Sequence, residues 1–408
     1  MIKLRVAAVV LLVASLAGCS TGDPATSAVT PAASPADPPA ALAQKINVVL
    51  TAQSAALTEG DEAGFLAPAK GNAEVEATLK RRFAGLRAMR VGEVHQQVSF
   101  GPEPSGTPGR WNAQIRFDYC LGGTGCGVDG PQLLSSWEET PEGVRLVDLD
   151  PSSYGPRPWE VDDLAVQVGE RAIVAAPKSH AADLRGLLPI ADRAAEVADT
   201  FALGGNKPFR YVVYLAPKEQ WKTWFSNNIR EDRYAGYALI SREEGTDLVL
   251  NLADLSREDA DSLLRHEMAH LATITHAPRS DTDGSAWWLA EGIAEVAGEQ
   301  GQGSDADDYR GTDVRAFLRA TPSYKGNLAT VGPAQNDTAS QTSARYGLGY
   351  YASRCIDEKY GRKKLLALAD ALLRNDKEAS AVSPGILGTK WKTVESNCFA
   401  YTRRAVGL

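Results

Sequence analysis

The sequence predicts an α+β fold with two domains. About 365 residues remain once the first 43 are set aside, which is enough for two domains, and both halves contain helix-like and strand-like segments. Helix-like periodicity comes first and four runs of strand-like alternation follow it: residues 44–57 and 75–87, then 91–100, 111–121, 132–139 and 144–149. Helices that lead into a curved antiparallel sheet predict a cone-shaped first domain at residues 44–155. A small sheet followed by a mainly helical half predicts a second domain at residues 160–408.

The N-terminus predicts export and a lipid anchor. Lys3 and Arg5 precede an apolar run that is too short to span a bilayer, which is typical of a signal peptide over residues 1–18. The run ends in Leu-Ala-Gly-Cys-Ser, which resembles the bacterial lipobox, so we expect lipidation of Cys19 and cleavage before it. Several acyl chains would then hold the protein at the extracytoplasmic face of the cell membrane. An ordinary secretory signal is the alternative.

Residues 19–43 predict a tether between the anchor and the first domain. This segment is rich in Ala, Pro, Ser and Thr and contains almost no large apolar side chains to bury. We therefore expect a disordered or extended spacer. The domain that follows it, residues 44–155, has the element order of a cone-shaped fold of the nuclear-transport-factor type. Such folds are catalytic in some proteins and structural in others, so the fold does not assign a role.

The second domain is predicted to open with strands and to continue with helices. We expect a strand, a helix and two further strands in this order: residues 164–175, 182–201, 209–215 and 247–252. A helix that carries the most informative motif of the chain follows the last strand.

That motif is His-Glu-Met-Ala-His, in which His266, Glu267 and His270 carry the chemistry. Residues i and i+4 of a helix lie on one face, about 6 Å apart along the axis, so two imidazoles can occupy neighbouring corners of a zinc tetrahedron. Glu267 then projects beside the metal and can accept the proton of a zinc-bound water. The motif predicts one Zn²⁺ per chain and Glu267 as the general base.

Two residues compete for the third ligand position. His276 has the spacing of a metzincin ligand, but Thr273 stands where that family has the glycine of the turn, and no Met follows the motif. Glu291 begins a second apolar segment, and Glu295 lies one helical turn further on the same face. We expect Glu291 to bind the metal and Glu295 to support a ligand histidine from outside.

The stretch from Arg265 to His270, followed by Trp-Leu-Ala-Glu-Gly-Ile-Ala-Glu at 288–295, resembles the gluzincin-type "peptidase MA-like" lipoproteins of actinobacteria. The resemblance is weaker at 165–175, 209–218 and 346–361, and it spans roughly residues 160–400. Glu295 stands where this family often has Asp. The resemblance implies a zinc metallopeptidase that acts on a peptide or protein substrate. Aminopeptidase-N-like relatives place a Tyr as the oxyanion donor at a similar distance, which makes Tyr346 the candidate here. The segment 346–359 is helix-like, so we expect Tyr346 near the start of that helix.

Four cysteines remain once Cys19 is set aside, and they allow three pairings. The favoured pairing is local, with Cys120 joined to Cys126 across a glycine-rich turn and Cys355 joined to Cys398 near the C-terminus. Zinc binding by these cysteines is the weaker alternative because the chain has no Cys-x-x-Cys pair.

The net charge of −8 and the lack of a concentrated basic face disfavour nucleic-acid binding. The predicted partners are therefore a peptide or protein substrate and, through the anchor, the membrane; the sequence does not determine the oligomeric state. The alternative function is a non-catalytic binding or assembly lipoprotein whose zinc site is structural or vestigial. An open fourth coordination position would favour the enzyme.

Overall fold

The computed structural model describes residues 38–125, 130–152, 155–205, 207–226, 235–239, 247–253, 255, 257–274, 284–300, 310–334 and 336–408. Residues 38–408 form one compact unit. The signal peptide and Cys19 lie outside the described residues. None of the helices in the described ranges combines the length and the apolar character that a membrane crossing requires.

Three helices and a four-stranded sheet form the first part of this unit. Their bounds are α1 Pro38–Glu59, α2 Glu62–Leu66, α3 Ala73–Ala88, β1 Val91–Pro104, β2 Arg110–Leu121, β3 Gln132–Thr140 and β4 Gly143–Ser152. The strands pair in chain order as an antiparallel meander, as alternation predicts. Helix α1 begins inside the segment assigned to the tether, because Leu42 and Ile46 are buried and draw its first turns onto the sheet.

A second sheet with three short helices follows. The bounds are α4 Pro158–Val161, β5 Leu164–Val168, β6 Ala172–Pro177, α5 Leu187–Asp199, β7 Tyr211–Ala216, α6 Lys218–Thr223, β8 Gly236–Ala238 and β9 Asp247–Asn251. The spatial order is β5-β6-β7-β9-β8, with β6, β7 and β9 parallel and the two edge strands antiparallel to their neighbours.

The prediction of one strand over residues 164–175 is wrong, because the chain folds there into the β5–β6 hairpin. The carboxylate of Asp192 in α5 accepts the backbone N–H groups of Glu170, Arg171 and Ala172, at 3.2, 2.8 and 2.8 Å. A side chain from a distant helix thus satisfies the donors of the turn, which separates two apolar runs at residues 169–171.

Side chains alternate between two different cores along the inner strands. In β7, Val212 and Tyr214 join the core shared with the first sheet. Val213 and Leu215 join a second core beneath α5 and the helix that begins at Arg257. The second sheet is therefore covered on both faces, as its continuous apolar strands require.

Seven helices complete the described chain: α7 Arg257–Ile274, α8 Trp287–Glu299, α9 Gly311–Ala320, α10 Ala339–Tyr360, α11 Arg362–Ala369, α12 Ala379–Ile386 and α13 Trp391–Ala405. A disulfide joins Cys355 in α10 to Cys398 in α13, which confirms that predicted pair. Cys126 lies outside the described residues, so its pairing with Cys120 stays a prediction. Together the helices and the two sheets confirm the α+β class.

Helix α10 begins earlier than the sequence predicts. Thr338 caps it by accepting the N–H of Gln341, so the helix starts at Ala339. Tyr346 therefore lies about two turns inside the helix, whereas the sequence predicts it near the helix start.

Helices α8 and α10 cross in direct backbone contact. A Cβ on Gly292 would lie 2.2 Å from the carbonyl oxygen of Gly349, and one on Gly349 would lie 2.8 Å from that of Trp288. Only glycine permits this approach. It sets the position of α8, the helix that carries Glu291 and Glu295.

A chain of buried charges connects the first part of the unit to the second sheet. Glu160 accepts a hydrogen bond from Nη2 of Arg82 in α3 at 2.5 Å and from the backbone N–H of Arg157 at 2.8 Å. Nη1 of Arg157 donates to Oδ2 of Asp247 at 3.3 Å. All four residues are almost fully buried, and Asp247 is the first residue of β9.

Candidate metal centre

Helix α7 carries the His-Glu-Met-Ala-His motif and packs against the second sheet and α5. Leu264, Met268 and Leu271 lie in the core against the second sheet and α5. His266 and His270 lie on another side of the helix, where α8 packs. The apolar spacing therefore decides which side meets the sheet, and the two imidazoles are left to meet α8.

Three donor atoms come together between α7 and α8. Nε2 of His266 and Nε2 of His270 are 3.1 Å apart, and Oε2 of Glu291 lies 3.4 and 3.3 Å from them. A zinc tetrahedron with bonds of about 2.0–2.1 Å has ligand atoms about 3.3 Å apart. The three sides of this triangle match that edge, so the residues present fit a zinc ion.

Support for the imidazoles differs between the two histidines. Oε1 of Glu295 lies 3.5 Å from Nδ1 of His266, which is the arrangement expected of a carboxylate behind a metal ligand. Glu295 is 2% exposed. Among the described residues, the buried Nδ1 of His270 has no hydrogen-bond partner.

The electrostatics of the site favour a cation. Burial lowers the pKa of His266, but its hydrogen bond to Glu291 and the charges of Glu295 and Glu267 together raise it to about 9. The imidazole therefore reports a strongly negative local potential. Burial opposes ionisation of Glu291, yet the charges of His270 and His266 hold its pKa well below its usual range. A divalent cation would replace the proton that this potential attracts.

Glu267 lies beside the triangle and next to the edge strand β8. It is 6% exposed, and burial raises its pKa, although the neighbouring histidines act in the opposite direction. A Cβ on Gly236 in β8 would lie 3.4 Å from Oε1 of Glu267. The backbone of the edge strand therefore passes directly by the carboxylate, a proximity that the sequence analysis missed because no spacing links the two residues.

The other predicted residues have different outcomes. The ring of Tyr346 packs edge-on against Trp287, with centroids 5.0 Å apart, and lies 5.2 Å from the guanidinium carbon of Arg310. Its role as oxyanion donor stays a prediction. His276 lies outside the described residues, and so does Cys19.

Arg310 is a residue of the site that the sequence analysis did not single out. Its guanidinium donates to both carboxylate oxygens of Glu295, at 3.1 Å each. A single arginine fifteen positions after its partner belongs to no motif, so the sequence contains no signal for it.

Comparisons with known proteins give a distant structural similarity and no match in sequence. No protein-family model matches the chain, and no curated protein matches it. Among solved structures, the chain is similar to the crystal structure of a two-domain M1 zinc metallopeptidase bound to L-arginine, with a TM-score of 0.37 and 15% sequence identity. The match covers 65% of this chain and 58% of that one, so this chain spans less than two thirds of the length of that protein.

Proposed function

We propose that this chain is a zinc-dependent peptidase of gluzincin type. His266, His270 and Glu291 would hold the zinc ion, and Glu267 would move the proton. The observation that carries the proposal is the triangle of donor atoms with sides of 3.1, 3.3 and 3.4 Å, with the carboxylate of Glu267 beside it.

Zinc bound there would act as a Lewis acid and lower the pKa of a water molecule to about 7. Glu267 then accepts the proton of the attacking water and donates it to the leaving amine. Its buried position supports this role, because burial raises the pKa of the Glu267 carboxyl and so makes the carboxylate a better proton acceptor. Glu295 keeps the His266 ring oriented throughout.

The edge strand offers a place for the substrate. Among the described strands, β8 pairs with β9 alone. An extended peptide that adds to the sheet beside β8 would run past Gly236 and hence past Glu267. This geometry brings a backbone carbonyl to the catalytic carboxylate without selecting a side chain, which supports hydrolysis of peptide bonds.

The number of ligands favours an enzyme over a structural zinc site. Structural sites close the tetrahedron with four protein side chains, whereas catalytic sites use three and leave one position open. Within the described part of the chain, the group that could bind a metal contains His266, His270 and Glu291 and no fourth member.

The proposal also covers the domain types, the lipid anchor and the oxyanion donor that the sequence predicts. The first domain would be a cone-shaped accessory domain, and the second would be gluzincin-like. Cys19 would anchor the enzyme at the extracytoplasmic face of the membrane, which the lipobox-like sequence at residues 16–20 supports. Tyr346 remains the candidate oxyanion donor, and its ring borders the Arg310–Glu295 pair.

Glu267→Gln tests the mechanism directly. We expect the full-length variant to retain zinc and to lose peptide hydrolysis by roughly 10²–10⁴-fold, because the amide cannot accept the proton. Zinc content by elemental analysis and cleavage of a quenched-fluorescence peptide library measure the two properties.

Asp261→Asn is the matched control, since it makes the same carboxylate-to-amide change on the same helix. Asp261 pairs with Arg265 in a half-buried ion pair and does not belong to the donor triangle. We expect it to cleave like the wild type. A Glu267→Gln variant that cleaves as fast as the control would refute the proposed role of Glu267.

A further inference from the structure

Arg310 holds the carboxylate that stands behind His266. Its Nε donates to Oε2 of Glu295 and its Nη2 donates to Oε1, both at 3.1 Å. Two parallel hydrogen bonds of this kind determine both the position and the plane of a carboxylate. Oε1 is also the oxygen that lies 3.5 Å from Nδ1 of His266. One carboxylate thus connects a guanidinium to a metal-binding imidazole.

Burial makes Glu295 dependent on this contact. Its side chain is 2% exposed, so water cannot replace a lost partner. A buried carboxylate that loses a charged hydrogen-bond donor turns toward another donor. With Arg310 in place, Oε1 of Glu295 is held beside Nδ1 of His266, where it can accept the N–H of the ring. The lone pair of Nε2 then stays directed toward the other two donor atoms.

An unusual backbone conformation at Arg310 accompanies the contact of its side chain with Glu295. Arg310 has φ 50°, a conformation that costs a non-glycine residue on the order of 1–3 kcal/mol. Helix α10 makes room for it, because a Cβ on Gly347 would lie 3.1 Å from the Cβ of Arg310. The same helix supplies Ser343, whose Oγ accepts from Nη1 at 3.3 Å, and the ring of Tyr346 beneath the guanidinium.

We propose that Arg310 is a positioning residue of the metal site, which acts through Glu295 to orient His266. The proposal rests on the zinc site proposed above. Arg310→Ala should weaken zinc binding roughly 10–100-fold, the usual effect of losing support behind a metal-bound histidine. Arg310→Lys should weaken it less, because an ammonium keeps the charge but cannot grip both oxygens.

The decisive measurement is the zinc affinity of full-length variants, determined by competition with a fluorescent chelator and without any substrate. Arg345→Ala is the matched control. Arg345 forms the same kind of two-point pair with Asp337, also lies over an aromatic ring, that of Phe317, and belongs to helix α10. We expect this control to lose thermal stability while its zinc affinity stays at the wild-type value.

Rescue separates positioning from general packing. Guanidinium ion at millimolar concentration should restore the zinc affinity of Arg310→Ala, and it should leave that of Arg345→Ala unchanged. In the cobalt-substituted protein, Arg310→Ala should shift the visible absorption bands of the metal, because the His266 ring changes its orientation. Neither signal responds to a loss of stability alone.

The outcomes distinguish the two proposals. A wild type that binds zinc tightly, with Arg310→Ala equally tight, overturns the role of Arg310 alone. Equal weakening by Arg345→Ala also overturns it, whereas a wild type without zinc affinity overturns both proposals. If Arg310→Ala does not fold, Arg310→Lys and Glu295→Gln replace it. Their effects on zinc affinity must then be less than additive in the double variant, and additivity would overturn the proposal.

Discussion

Glu291 is the side chain on which the identity of the metal centre depends. Its Oε2 lies within 3.4 Å of Nε2 of both histidines. The rival ligand, His276, follows the same motif at metzincin spacing. Helix α7 is still helical at Thr273, whose Oγ1 donates to the carbonyl of Ala269 at 2.7 Å. Within the described residues, His266, His270 and Glu291 already supply three metal ligands without His276.

Two alanine variants separate these rival sites. Glu291→Ala should abolish stoichiometric zinc, because it removes one of three ligands and the negative charge that favours the cation. His276→Ala should retain one zinc per chain. Elemental analysis of both purified proteins measures this. Zinc lost in His276→Ala and kept in Glu291→Ala would make the assignment of Glu291 wrong.

At the scale of elements, the site depends on how closely helices pack. Helix α7 carries the two histidines and α8 carries both glutamates, so the donor triangle spans two elements. On one side of α8, Gly292 and Gly349 let its backbone pack directly against that of α10. On the other side, Gly298 of α8 faces the carbonyl of Ser262 in α7, where a Cβ would lie 3.2 Å away. Glycines on both contacts let α8 sit close to its two neighbours.

Gly349→Ala tests this crossing. The new methyl group would meet the carbonyl of Trp288, so the helices must separate at a cost of about 1–3 kcal/mol. Because α8 carries Glu291, we expect weaker zinc binding together with a lower melting temperature.

The control for the crossing is Gly385→Ala. Gly385 lies in α12, and a Cβ there would meet no atom of another element within 4 Å, so alanine should be neutral or stabilise the helix by about 0.5–1 kcal/mol. Thermal unfolding and chelator competition measure both variants. Equal melting temperatures and zinc affinities in the two alanine variants would contradict a tight α8–α10 contact.

At the scale of the whole molecule, one core and one ion network join the two predicted domains. Phe117 and Trp137 of the first sheet belong to the same buried cluster as Ile173 and Tyr214 of the second. Arg157 donates a hydrogen bond to the carboxylate of Asp247 in the same region. The strand that begins at Asp247 lies between the two cores, because Val249 belongs to the core shared with the first sheet and Leu248 and Leu250 belong to the core beneath the metal helix.

Asp247 makes the stability of this region depend on pH. Burial, opposed by the charge of Arg157, raises the pKa of Asp247 from 3.8 to about 6. The folded state therefore binds the proton more tightly than the unfolded state between these values. The contribution of Asp247 to stability is largest below about pH 4 and is lost as the pH rises through about 6.

Asp247→Asn removes this titration. Between pH 7 and pH 4.5 the wild type should gain on the order of 1–2 kcal/mol of unfolding free energy relative to the variant. Denaturant unfolding at several pH values measures the difference, and Asp261→Asn provides a control for a carboxylate that is more exposed than Asp247. A difference between wild type and variant that is independent of pH would show that Asp247 stays ionised throughout.

Anchoring is the other property of the whole molecule. We expect the wild type to fractionate with membranes and to resist high-salt washing, because acyl insertion is hydrophobic and salt screens only charges. Cys19→Ser should abolish lipid labelling and leave the zinc content unchanged. Mass spectrometry that finds an unmodified Cys19 on the native protein would leave a secreted enzyme without an anchor.

The sequence by itself determined the elements whose signals are local. Strand alternation located all four strands of the first sheet to within a few residues, because one side of each strand is buried. Helical spacing placed His266 and His270 on one side of one helix, since a period of about 3.6 residues acts within two turns. The pairing of Cys355 with Cys398 likewise followed from proximity along the chain.

Only the tertiary structure decided what distant segments do together. The distance of Glu291 from the histidines depends on how α8 lies between α7 and α10. The turn at residues 169–171 forms because Asp192, from another element, satisfies its N–H groups. Arg310 reaches Glu295 through a left-handed backbone that Gly347 accommodates. The contacts of Asp192 and Arg310 join residues that share no period and no motif, and the Glu291 motif predicts a ligand without its distance. The free energy of these contacts therefore exists only once the packed chain brings the residues together.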